Sequence, residues 1–203
     1  MDARKDSPRL TPLPLDHDAS LQDNFAITTK NLGFVPNSML IMQRRPEITK
    51  AYAALSAAIW GPSSLVNVGF KRLIAHVASR SAGCMYCMAH TAGGAMHLGV
   101  PEEKVRAVWE YQTSPLYSPA ERAALDVAVA AGCVPNAVTD EMFVEMRKHW
   151  SDEQVVEIVA TISMFGFLNR FNDTMATPLE AEPIEVGERI LADRGWSPGK
   201  HLR

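Results

Sequence analysis

Ser81-Ala82-Gly83-Cys84-Met85-Tyr86-Cys87-Met88-Ala89-His90-Thr91 ends one helical pattern and starts another. Before it, Phe70, Leu73, Ile74 and Val77 recur at the spacing of one helical face. Gly83 interrupts that face, and the Ala- and Met-rich run from Cys84 to Leu98 predicts a new helix closed by Gly99. Two cysteines separated by two residues thus fall at a helix N-terminus. Unpaired N–H groups and the positive end of the helix dipole stabilise a thiolate there, and the spacing lets the two sulfurs close a disulfide. Such a pair can reduce a peroxide. One thiolate attacks the O–O bond and becomes a sulfenic acid, which the other thiol resolves to a disulfide. At about 100° per residue, His90 lies about 60° round the helix from Cys87 and one turn along, where it can take or return a proton. If His90 activates the nucleophile, Cys87 attacks and Cys84 resolves; the helix dipole alone reverses that order.

Outward from this stretch, both flanks read as helices. Residues 1–17 form an extended arm broken by Pro8, Pro12 and Pro14. A helix starts near Ala19, carries Leu21 and Phe25, and ends at Gly33 before the turn Phe34-Val35-Pro36-Asn37. Pro46 opens a helix with Ile48, Tyr52, Leu55 and Ile59 on one face, which Gly61-Pro62 stops. Pro101 opens another through Val105, Val108 and Trp109, beside the first-turn acids Glu102 and Glu103. Ser118-Pro119-Ala120-Glu121 and Ser151-Asp152-Glu153-Gln154 read as capping boxes, and Thr139 as a further cap. The run Val155 to Phe167 is the most apolar and is expected at the centre. Pro178, Pro183 and Pro198 then break the pattern, leaving a partly ordered tail with one short helix near residues 186–192. No period-two alternation suggests a strand. The expectation is an all-α bundle of about seven or eight helices: an arm (1–17), a helical domain (18–176) and a C-terminal tail (177–203).

Composition narrows the function. The chain has 203 residues and a net charge of −3. No basic run invites nucleic acid, and no stretch reaches the roughly 18 uninterrupted apolar residues of a membrane span. Met1-Asp2-Ala3-Arg4-Lys5-Asp6 lacks the apolar core of a secretory signal, so the expected compartment is the cytoplasm. Three cysteines, two close and Cys133 remote, do not form a disulfide framework. Cys84 and Cys87 could also be buried small hydrophobes. A zinc site from Cys84, Cys87, His90 and His97 fails because ligands on one straight helix cannot converge; it would have to borrow His76 or an outside ligand. Cys133 reads as a packed thiol, His76 as a histidine bonded within a helix interface, and His97 and His149 as surface or structural residues. Met85, Met88 and Met96 read as core or interface filler. Asn169, Arg170, Asn172 and Asp173, directly after the apolar helix, form a cap or interface network, with substrate contact as the alternative.

The Cys-x-Tyr-Cys helix start, the amphipathic helix Phe70–Arg80 before it and Gly99 after it resemble the carboxymuconolactone decarboxylase and alkylhydroperoxidase D-like superfamily. Leu32-Gly33-Phe34-Val35-Pro36-Asn37, residues 118–125 (from Ser118-Pro119-Ala120-Glu121 to Leu125) and Asn169-Arg170-Phe171-Asn172-Asp173 are similar to its peroxidase-related branch. The resemblance spans residues 30 to 175. It implies an all-α fold, homo-oligomers built through helical faces, and peroxidase or peroxiredoxin-like activity on hydrogen peroxide or organic hydroperoxides. It implies catalytic roles for Cys84 and Cys87, no cofactor, no metal, and an external thiol or dithiol reductant. In members with a full site a histidine stands four residues after the second cysteine and a glutamate twelve before the first. Here Thr91 and Arg72 stand at those positions, so the usual relay is absent as written. His90 or His76 could substitute, and Arg72 could stabilise a thiolate. The alternatives are a non-catalytic redox-sensing or structural oligomer, or a decarboxylase-type lyase. The tail could wrap a neighbouring subunit.

Overall fold

The capping signals act where they stand. Ser118 and Ser151 each accept the backbone N–H three residues on, while Glu121 and Gln154 reach back to the cap N–H. Pro46 and Pro119 begin helices, and Gly33 ends one in the left-handed region. The computed structural model describes residues 8–202. Its helices are α1 (Gln22–Leu32), α2 (Asn37–Met42), α3 (Pro46–Trp60), α4 (Val68–Ser81), α5 (Met85–His97), α6 (Glu102–Arg106), α7 (Pro119–Gly132), α8 (Asp140–Arg147), α9 (Asp152–Met175) and α10 (Ala181–Ile190), with four short 3₁₀ turns. No strand occurs among the described residues. The fold is an all-α helical bundle, with more and shorter helices than the sequence pattern resolves.

Helix α4 is the core element. Phe70, Leu73, Ile74, Ala75, Val77 and Ala78 are all buried, and the helix packs against α5, α7 and α9. At one end a buried Lys71 bonds Glu157, Ser64 and the Ile59 carbonyl, tying the α3–α4 loop to α9. Removing Glu157 alone would leave a buried ammonium without its counter-charge, the costly way to break such a pair.

Two expectations change. The segment Asn169–Asp173 does not follow the apolar helix but forms its last turns. The apolar stripe ends at Leu168, but nothing breaks the backbone until Ala176 turns left-handed ahead of Pro178. The prolines of the tail do not loosen it either. Pro183 sits in the first turn of α10, where a missing N–H costs little. Residues 177–202 fold back onto α5 of the same chain: Trp196 Nε1 donates to the Met85 carbonyl at 2.9 Å, and Leu179 N–H bonds the His201 carbonyl at 2.9 Å. The Trp196 ring lies so close to Gly187 that a Cβ there would meet it at 2.3 Å, so only glycine allows this docking. Of the N-terminal arm, residues 1–7 lie outside the described residues. Residues 8–17 run along α2, with Leu13 N–H on the Leu40 carbonyl and Gln43 Nε2 on the Pro14 carbonyl.

Candidate active site

The turn between α4 and α5 sets the dithiol. Gly83 takes φ of 73°, a left-handed value that a side chain would strain, and Cys84 N–H then reaches the Ser79 carbonyl at 3.0 Å. Cys84 caps α5: its Sγ accepts the Cys87 N–H at 3.4 Å. Both cysteines are free thiols, 0% and 2% exposed. From α9, Asn172 Nδ2 donates to Cys87 Sγ at 3.6 Å, and Asn172 Oδ1 accepts the Thr177 hydroxyl at 2.9 Å. Burial pushes the Cys87 thiol well above its usual range, and the neighbouring Cys84 sulfur pushes it further; the Asn172 amide works the other way.

His90 projects to the other side of Cys87. Its Nε2 lies 2.8 Å from Glu180 Oε2, and its ring lies tilted against Tyr86 with centroids 4.3 Å apart. Glu180, at the N-cap of α10, also accepts the Tyr86 hydroxyl at 2.9 Å and the Asn37 N–H. Burial opposes its ionisation, but attraction to His90 and these donors outweigh burial and hold its carboxyl below the usual range. Burial and the Glu180 charge hold Tyr86 as a phenol. Among the described residues no hydrogen bond joins His90 to either sulfur.

Thr91 and His76 form a separate, buried pair. Thr91 Oγ1 bonds the Cys87 carbonyl at 2.7 Å and lies 3.0 Å from His76 Nδ1, which is also 3.0 Å from the Met88 carbonyl. Burial lowers the His76 pKa to about 4, against the Met88 hydrogen bond and with the Arg80 charge. Its ring lies against Trp109, 5.1 Å between centroids. His76 is thus a neutral histidine in the α4–α5 interface. Arg72 places its guanidinium 4.2 Å over the Trp60 ring, and among the described residues it makes no hydrogen bond to a sulfur.

His97 shares a small surface pocket with His90, and His149 lies 3.4 Å from Glu145. Cys133, expected as a packed thiol, is half-exposed at the end of α7, with Sγ donating to the Val129 carbonyl. No group of His, Cys, Asp and Glu suited to a metal ion occurs among the described residues. The residue that sequence reasoning missed is Glu180. It is ninety positions from His90, and nothing about an acid before a short helix links the two. Asn172 was visible as a polar residue, but its place on Cys87 was not.

An all-helical chain that presents paired thiols at a helix N-terminus, backed by a histidine–carboxylate pair, defines the class: a helical dithiol protein. The Carboxymuconolactone decarboxylase family model matches residues 46–130, which include both cysteines and His90. The debrominase Bmp8, in a complex of one variant with 2,3,4-tribromopyrrole, is similar over 89% of this chain and 96% of its own, at 37% identity and a TM-score of 0.84. YdfG of Bacillus subtilis (strain 168) is 27% identical over 141 residues, 69% of this chain and 88% of that protein. A peroxidase-related protein from Ralstonia eutropha JMP134 shares the fold, with a TM-score of 0.75 at 22% identity over 87% of this chain and 94% of its own. The chain belongs to the carboxymuconolactone decarboxylase and alkylhydroperoxidase D-like superfamily, a family with enzymes among its members.

Proposed function

We propose that this protein is a dithiol reductase that transfers two electrons from Cys84 and Cys87 to a small electrophile. The observation that carries this is the pair itself: two free thiols in contact at the N-terminus of α5, with Asn172 on one and the His90–Glu180 pair beside them. Cys84 is the attacking sulfur in this reading, because it caps α5, where helix N–H groups stabilise negative charge. Cys87 resolves. With a hydroperoxide, the thiolate takes the distal oxygen and the O–O bond breaks. Cys87 then displaces hydroxide, which leaves as water, to close the disulfide. His90, oriented by Glu180, supplies the proton to the departing alkoxide. An external thiol or dithiol restores the pair.

A second electrophile is favoured by the 37% identity to a debrominase across 89% of the chain. A thiolate can take bromine from an aromatic carbon that is protonated in the same reaction; Cys87 then expels bromide and closes the same disulfide. The balance is one carbon–bromine bond and two thiols consumed, one carbon–hydrogen bond, one disulfide and hydrogen bromide formed.

One assay tests both. Purified protein with excess dithiothreitol is given hydrogen peroxide, cumene hydroperoxide or a bromopyrrole, and peroxide loss and bromide release are followed. Sustained turnover of either substrate, lost in Cys84→Ser and Cys87→Ser, is expected. Consumption of a single equivalent would leave the redox-sensor alternative. Turnover of a lactone acid that survives both substitutions would mean lyase chemistry.

A further inference from the structure

The two ends of the Asn172 side chain meet different partners. Its Nδ2 donates to Cys87 Sγ at 3.6 Å, and its Oδ1 accepts the Thr177 hydroxyl at 2.9 Å. Asn172 is 1% exposed and Thr177 0%. Asn172 comes from the last turns of α9, and Thr177 from the chain directly beyond. Ala176 turns left-handed, which returns the Thr177 N–H to the Asn172 carbonyl at 3.1 Å and brings the hydroxyl to the carboxamide. The Thr177 carbonyl lies 2.8 Å from His201 Nδ1, so the folded-back C-terminal segment holds Thr177 from its other side.

The direction of the amide matters because a carboxamide has a donor end and an acceptor end of nearly the same shape. A thiol can meet either end, since its S–H donates and its sulfur accepts. A thiolate only accepts, so it requires the N–H end. The Thr177 hydroxyl occupies Oδ1 and leaves the N–H end for the sulfur. In the dithiol reading Cys87 must bring an electron pair to the oxidised Cys84, and burial opposes negative charge on it. A hydrogen bond from a neutral amide offsets that cost, and it strengthens as charge gathers on the acceptor.

We propose that Asn172 is a catalytic residue of the resolving step, donating its amide N–H to Cys87 Sγ as that sulfur attacks, and that Thr177 is the positioning residue that fixes the direction of the amide. The proposal rests on the dithiol reading above. The Cys87 sulfur forms the S–S bond while the S–O bond of the Cys84 sulfenic acid breaks. The electron pair of that bond leaves on oxygen, which takes the Cys87 proton and departs as water. One sulfenic acid and one thiol are consumed; one disulfide and one water are formed. The demand on Asn172 is the same when bromide leaves Cys84 in place of hydroxide.

The test separates the two steps. Reduced full-length protein is mixed with excess hydrogen peroxide and quenched in acid at intervals. Peptide mass mapping then follows oxygen gained at Cys84 and hydrogen lost in the Cys84–Cys87 bond, apart from any change at Cys133. Wild type should pass to the disulfide with little oxygenated Cys84. In Asn172→Leu, Cys84 should gain oxygen within about threefold of the wild-type rate, while closure slows about tenfold to a hundredfold, the worth of a hydrogen bond to a charged acceptor. Thr177→Val should slow closure about tenfold by the same loss, and Thr177→Ser should restore it. A merely structural role would slow both steps together and would not distinguish serine from valine. Wild-type closure in Asn172→Leu, equal closure in Thr177→Val and Thr177→Ser, or oxygen first on Cys87 would overturn the proposal while the dithiol reading stands. If Asn172→Leu does not fold, the two Thr177 variants decide. Failure of wild type to form the Cys84–Cys87 bond would defeat the dithiol reading, and this proposal with it.

Discussion

His76 and His90 stand on opposite sides of the dithiol helix, and their partners make them different groups. His76 meets a carbonyl and a threonine hydroxyl from α5, lies against Trp109, and is kept neutral by burial. His90 meets a carboxylate brought by the C-terminal segment, which also gathers Tyr86 and the Asn37 N–H. The first environment is assembled from α4, α5 and the short turn that carries Trp109, and it suits packing. The second needs residues 37, 86, 90 and 180 to converge, and it suits proton transfer. A histidine near a reactive pair is thus not informative by itself; the charge of what it touches decides its use.

The sharpest way to break this comparison lies at the sulfurs. Cys84→Ser and Cys87→Ser should each lower dithiothreitol-supported turnover by about a thousandfold or more, since each removes one half of the two-electron step. Cys133→Ser should retain turnover within about threefold, and a collapse there would redraw the site around a third thiol. Next is Glu180→Gln, which keeps shape and removes charge. It should lower kcat by roughly tenfold to a hundredfold, at or below the lower end of the 10²–10⁴ that positioned acid–base groups supply, because His90 itself remains. Wild-type kcat in Glu180→Gln would return His90 to the status of a surface histidine.

Acidification separates the two histidines by stability. His76 takes up a proton more readily unfolded (pKa 6.5) than folded (about 4), so the folded state gains nothing from it at neutral pH. Stability should fall as pH drops from about 6.5 to about 4, by about 3 kcal/mol from this group. In His76→Gln, urea midpoints at pH 7 and pH 4.5 should lie closer together than in wild type, with kcat within about threefold. Loss of turnover in that variant would exchange the roles of the two histidines. The smallest effect is expected at the tail. Trp196→Phe deletes the bond to the Met85 carbonyl and should cost about 1 kcal/mol, read as a Tm lower by a few degrees.

Much of the fold was legible because its signals are local. Capping boxes at Ser118 and Ser151, Pro46 at a helix start and the left-handed Gly33 act within four residues. The dithiol was legible for the same reason, since Cys84 and Cys87 are three residues apart at a helix start. Two features misled. A change from apolar to polar after Leu168 reads as a helix end, yet polarity only marks which groups leave the core, and α9 continues to Met175. Prolines in the tail read as loosening, yet Pro183 stands in the first turn of α10, where its missing N–H was spare.

The sequence by itself determined the helical class, most helix ends and the position of two thiols at a helix N-terminus. These follow from backbone hydrogen bonding and side-chain periodicity over a few residues. Only the tertiary structure decided that Glu180 meets His90, that Asn172 meets Cys87 and that Thr91 binds His76. Those contacts join residues 15 to 90 positions apart across helices. Their geometry depends on how α4, α5, α9 and α10 pack, and no local pattern encodes the distance between two side chains on different helices.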